Sequence, residues 1–133
     1  MHSEAFEAVL DRRLSLTRQV LALKRKEYAG NELRLGYDRL HNFNRAASML
    51  SCSREKALIG MLSKHLVSIL DIVDDLDIKF PSVEMIEEKI GDAINYLILL
   101  EAMMKEDGAQ NIKEAANTAT NSPSVPLPQP FGK

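Results

Sequence analysis

Apolar residues in this chain recur at three- and four-residue steps, stretch after stretch, and nowhere alternate strictly between turns. That period belongs to amphipathic helices and leaves no signal for a sheet. In the first stretch, from about Ser3 to Tyr28, the stripe is Phe6, Val9, Leu10, Leu14, Val20 and Leu21, broken once by Arg13. Ala29-Gly30-Asn31 supplies the stop, since Gly and Asn suit the left-handed residue just past a helix end. A shorter stretch from Asp38 places Leu40, Phe43, Ala46, Ala47 and Leu50 on one side. Ser51 and Ser53 are candidate caps for a third helix, whose stripe runs from Leu58 through Met61, Leu62, His65, Leu66, Ile69 and Leu70 to Val73. Asp74 to Pro81 ends it, because the residue before a proline disfavours the α region. Ser82 is the next cap, with Glu84 in the first turn, and Met85, Ile86, Ile90, Ala93, Ile94, Leu97 and Met104 form the last stripe.

The expected architecture is therefore all-α: a small antiparallel bundle of three long helices and one short one, spanning 1–106. From Asp107-Gly108 onward the sequence is small, polar and Pro-rich, so 107–133 reads as a disordered tail. The composition agrees, with 45% hydrophobic, 27% charged and only 5% aromatic residues over 133 positions. It describes one domain with an aliphatic core. Such a core is modest, and a homo-oligomer that buries more apolar area is expected.

Several function classes fall away. A net charge of −2 excludes a generally cationic nucleic-acid or membrane binder. DNA binding through residues 12–26 is disfavoured because the basic residues interleave with a stripe that packing needs. The lone Cys52 excludes an internal disulfide framework and a Cys-based zinc site. No apolar run approaches the roughly 18 residues of a membrane span. MHSEAFEAVLDRR holds no uninterrupted apolar segment of the secretory kind, so the expected setting is the cytoplasm.

Charge is unevenly spread. Residues 1–50 carry nine Lys/Arg against six Asp/Glu, whereas 51–106 carry six against eleven. A basic first helix should face an acidic final pair, within the fold or between subunits. Glu84, Glu88 and Asp92 follow at four-residue steps, and Asn95 continues their line. Such a row is either a solvated face paired with the basic helix, or a source of carboxylates for Mg²⁺. Asp71, Asp74 and Asp75 are a second carboxylate source at the far end of the third helix. His65 sits on the apolar stripe, where a core role is the ordinary one, and Lys64 beside it is a candidate anion partner. Lys24-Arg25-Lys26 suits the negative end of the first helix and would equally grip phosphate. No specific catalytic motif is present.

Four segments taken together resemble a known family: Lys26-Glu27-Tyr28-Ala29-Gly30, His41-Asn42-Phe43, Lys64-His65, and Glu87 to Tyr96 with its Asp92-Ala93-Ile94-Asn95-Tyr96 core. Their order and spacing are similar to those of the phage and prophage proteins of the nucleotide modification associated domain 1 family. The likeness covers roughly Lys24 to Leu100. It implies an all-α cytoplasmic protein of phage type, linked to modified or scavenged nucleotides. A weaker likeness is to the MazG-type all-α nucleoside triphosphate pyrophosphatases, in which carboxylates on two helices hold Mg²⁺. This chain lacks that family's EExxE motif and carries Glu88-x-x-x-Asp92 where the family has ExxD. Carried over residue by residue, the resemblance implies Glu88, Asp92 and Asp71 as Mg²⁺ ligands. Lys26 and Lys64 would neutralise phosphate, and Tyr28, Asn42 and Asn95 would complete the nucleotide site. The alternative is a non-catalytic helical protein that binds and modulates a host or phage protein.

Overall fold

The computed structural model describes residues 1–28, 40–121 and 123–131, with the backbone alone at 25–28. It consists of helices α1 (Ser3–Tyr28), α2 (His41–Leu50), α3 (Arg54–Asp74) and α4 (Val83–Thr120), and no strand occurs among the described residues. Of the caps read from sequence, Ser53 and Ser82 are made, whereas Ser51 closes α2 instead of starting α3. Ser53 Oγ accepts the Lys56 N–H at 3.2 Å, and Ser82 Oγ accepts the Met85 N–H at 3.1 Å. Each satisfies one of the donors that a helix start leaves open. Glu55 and Glu84 occupy the first turns, where a carboxylate suits the helix dipole. α2 starts at Leu40 without a side-chain cap and closes at Ser51, which takes the left-handed conformation at φ 51°. There the Ser51 and Cys52 N–H groups turn back to the Ser48 and Ala47 carbonyls. The stop expected at Ala29-Gly30-Asn31 and the start expected at Asp38 lie outside the described residues.

α3 packs on α4, α2 on α3 and α1 on α4. α3 and α4 run in opposite directions. Arg54, at the start of α3, reaches the Met103 carbonyl and Asp107 of α4, while His65 farther along α3 meets Asp92. The core sits on this pair. Leu58 and Met103 are fully buried, and Leu40 and Phe43 close over them from the α2 side. Met61, Tyr96, Leu99 and Leu100 pack around that cluster. α1 gives this core no buried apolar side chain among its described residues; its one buried residue is Thr17.

The tail expected to begin at Asp107-Gly108 begins later, because α4 continues to Thr120. Gly108 costs a helix about 1 kcal/mol against alanine, too little to stop one that is already propagating. Arg54 anchors the helix at this point through Glu106 and Asp107, at 2.8 and 2.5 Å. Ala109, Gln110, Lys113, Glu114, Ala115 and Ala116 are good helix formers, and the first proline beyond them is Pro123. The described residues from 123 to 131 have no regular structure and are exposed.

Candidate functional site: the cleft between α1 and α4

The break in the first stripe marks a site. Arg13 turns inward from α1 and donates through Nη2 to the Glu87 carbonyl of α4 at 3.0 Å. Its guanidinium lies across Gly91, where the Cβ of any other residue would meet Arg13 Nη1 at 2.6 Å. A side chain there would push the guanidinium, the far end of a flexible side chain, aside. Arg12 grips the same turn from outside, donating from Nε and Nη2 to the two Glu87 carboxylate oxygens, each at 3.0 Å. That hydrogen bond, with the charge of Arg12 behind it, holds the Glu87 carboxyl below the usual carboxylate range and raises Arg12 in turn. The basic first helix therefore does face acidic α4 within one chain.

Beyond Arg13 the two helices enclose a cleft of about 280 Å³. Arg13, Leu16, Thr17 and Val20 line it from α1, and Glu84, Glu87, Glu88, Gly91, Asp92 and Asn95 from α4. The acidic line read from sequence is thus one wall of the cleft. Glu88 accepts from Lys89 Nζ at 2.9 Å. Asp92 Oδ2 lies 3.5 Å from His65 Nδ1, so the wall is tied to α3. The His65 ring lies 4.8 Å from that of Tyr96, and Tyr96 meets Phe43 edge-on at 5.9 Å. His65 thereby joins the carboxylate wall to the aromatic edge of the core.

Two polar atoms at this cleft have no partner. Thr17 is 9% and Asn95 3% exposed, and Thr17 Oγ1 and Asn95 Oδ1 make no hydrogen bond. Buried polar groups are paired in the large majority of cases, and these two, on facing helices, are the exceptions at this cleft.

The residues expected from sequence divide sharply. Glu88, Asp92 and Asn95 converge on the cleft. Asn42 on α2, and Lys64 and Asp71 on α3, are exposed and are not among its lining residues. The side chains of Lys26 and Tyr28 lie outside the described residues. No group of three or more His, Cys, Asp or Glu that could hold a metal ion occurs among the described residues. Arg13 and Thr17 belong to the site although no sequence motif singles them out for it, and so does Glu87, which opens the last of the family-like segments. Arg13 carries a signal, as the one charge in an apolar stripe, and Thr17 follows it one helical turn later.

No family model, curated protein or solved structure matches the chain.

Proposed function

We infer that this chain binds a nucleoside or nucleotide in the α1–α4 cleft, as a small phage-type protein of nucleotide metabolism. The observation that carries this reading is the pair of orphaned polar atoms, Thr17 Oγ1 and Asn95 Oδ1, at one cleft. An amide oxygen only accepts, so its partner must bring an N–H or O–H, as a base amino group or a sugar hydroxyl does. Leaving such an atom unmade costs about 1–3 kcal/mol, which a ligand recovers on binding. Leu16 and Val20 offer an apolar surface to the face of a base. Both orphaned atoms lie beneath the cleft surface, and a ligand gains them through a small displacement of α1 on α4.

The acidic wall repels a bare phosphate. Mg²⁺ enters this proposal only together with a phosphate ligand, since that ion is commonly held by one or two carboxylates plus phosphate oxygens. Glu88 and Asp92 would supply the carboxylates, and the ion would neutralise phosphate charge there. Lys26 and Lys64 as phosphate partners, and Tyr28 and Asn42 as base or sugar partners, rest on the family resemblance. So do the cytoplasmic setting and the phage origin.

The test is a thermal-shift screen against canonical and modified nucleotides, each with and without Mg²⁺. A ligand at 100 times its dissociation constant stabilises the fold by about 2.7 kcal/mol, a rise of several degrees in a domain of this size. Asn95→Leu should abolish the shift, and Asp92→Asn should abolish its Mg²⁺ dependence. A screen that is flat across every nucleotide class rejects the reading.

A second reading is favoured by a different observation. Phe6, Val9, Leu10 and Leu14 of α1 are exposed although they form a helical stripe. A non-catalytic protein that docks this stripe on a host or phage protein explains them. It predicts one stoichiometric partner on copurification and no nucleotide response.

A further inference from the structure

The polar side chains that line the α1–α4 cleft are weighted toward hydrogen-bond acceptors. Carboxylates stand on Glu84, Glu87, Glu88 and Asp92, against a single cation, Arg13. Two of these charges are already engaged with the helices themselves. Glu87 takes both bonds from Arg12, and Arg13 donates to the Glu87 carbonyl. What remains is a line on one face of α4: Glu84, Glu88, Asp92 and Asn95, at steps of about 6, 6 and 4.5 Å along the axis. Burial rises along it. Glu84 is exposed, the side chains of Glu88 and Asp92 are 63% and 28% exposed, and Asn95 is 3% exposed.

The line therefore has an outer, charged end and an inner, neutral end. At the inner end Asn95 Oδ1 is buried without a partner, and an amide oxygen only accepts. Asp92, just before it on the same face, reaches His65 through Oδ2 and has a second carboxylate oxygen, again an acceptor. An amino group on an aromatic ring brings two N–H donors, and its own lone pair is drawn into the ring, so it meets both residues. An oxo group in its place sets lone pairs against lone pairs. Thr17 Oγ1, the other orphan, both donates and accepts, so it takes a ring nitrogen or a sugar hydroxyl alike and does not select. At the outer end, Glu84 and Glu88 set negative charge where the rest of a ligand emerges. The volume of about 280 Å³ is at the low end for a ligand pocket and suits a base with its sugar rather than a phosphate chain.

We propose that the cleft selects an unphosphorylated nucleoside whose base carries an exocyclic amino group. The amino group turns in to Asn95 Oδ1 and Asp92, and the 5′ end turns out toward Glu88 and Glu84. This rests on the nucleotide reading above and narrows it. Discrimination belongs to the inner end, since a site built to hydrogen-bond an N–H rejects the analogue that lacks it far more strongly than an apolar pocket rejects a missing methylene. Exclusion belongs to the outer end. A 5′-phosphate there meets like charge, and it is tolerated only when Mg²⁺ accompanies it.

Isothermal titration calorimetry of the full chain tests it with two pairs that differ at the amino position, adenosine against inosine and cytidine against uridine. The 5′-monophosphates of adenosine and cytidine are titrated beside them, with and without Mg²⁺. In the pair whose ring the cleft admits, the amino nucleoside should bind at least about tenfold tighter than its oxo partner. Its monophosphate should bind more weakly than the nucleoside without Mg²⁺ and recover with it. Asn95→Leu should abolish binding of the amino nucleoside. Thr17→Val, which keeps the shape of the side chain, should weaken both members of the pair alike, and with the wild-type ratios it decides the matter if Asn95→Leu unfolds. Equal binding within both pairs, a preference for the oxo member, binding of the monophosphates alone, or a monophosphate tighter than its nucleoside without Mg²⁺ overturns this inference and leaves the nucleotide reading standing. Silence from every nucleoside and nucleotide, with and without Mg²⁺, rejects that reading as well.

Discussion

Thr17 and Asn95 are where the chain departs most plainly from what packing alone would select. A buried hydroxyl without a partner can be replaced by a methyl of the same shape at little or no loss, because the desolvation cost of the hydroxyl disappears with it. Thr17→Val should therefore raise the stability of the ligand-free protein by about 1 kcal/mol in urea denaturation. An equal or lower stability would mean that the hydroxyl is satisfied in solution. Glu87 makes the opposite case, a carboxyl held below its usual value of 4.5 by Arg12. A lowered carboxyl stabilises the fold above its unfolded pKa, and the contribution is lost as pH falls through the lower folded value. Acid should therefore weaken the α1–α4 contact before it touches the α3–α4 core. Hydrogen exchange of α1 amides, measured at neutral pH and below about pH 4, checks the order; equal loss of protection in α1 and α3 would contradict it. This contact is exposed on the Arg12 side, so salt should weaken it too.

At the level of the helices, Arg54 does for α3 and α4 what Arg13 does for α1 and α4. Burial works against its charge, but hydrogen bonds to Glu106, Glu55 and Asp107 outweigh that and hold its pKa above the ordinary range. Arg54→Met should cost about 1–2 kcal/mol and lower the Tm by several degrees. A change within error would show that the three carboxylates hold nothing together. Beyond this anchor α4 is exposed from Gly108 to Thr120. Ending the chain after Asp107 should lower the helical circular dichroism while leaving the Tm in place, because no buried contact is removed. Where the residues are described, the helix starts were legible: Ser53 and Ser82 cap as their sequence positions suggest. The end of α4 was not, because Gly108 reads as a stop although helix formers follow it and Arg54 anchors the helix at Asp107.

For the molecule as a whole, the all-helical class follows from a period that each stretch repeats, whereas the placement of α1 does not. A stripe says which side of a helix is buried and is silent on which neighbour buries it. Glu88, Asp92 and Asn95 were legible as a set because they share one helix face. Lys64, Asn42 and Asp71 join them only by order along the chain, and order does not carry distance. Arg13 and Thr17 needed the crossing of two helices to acquire a meaning.

α1 reaches the rest of the described structure through α4 alone, by two arginines and a cleft wall rather than a packed core. Among the described residues the two walls of the cleft meet only through this contact. Seating of the helix and occupancy of the cleft are then one equilibrium viewed from two ends: whatever binds between them slows the peeling of α1, and whatever frees α1 dissolves the site.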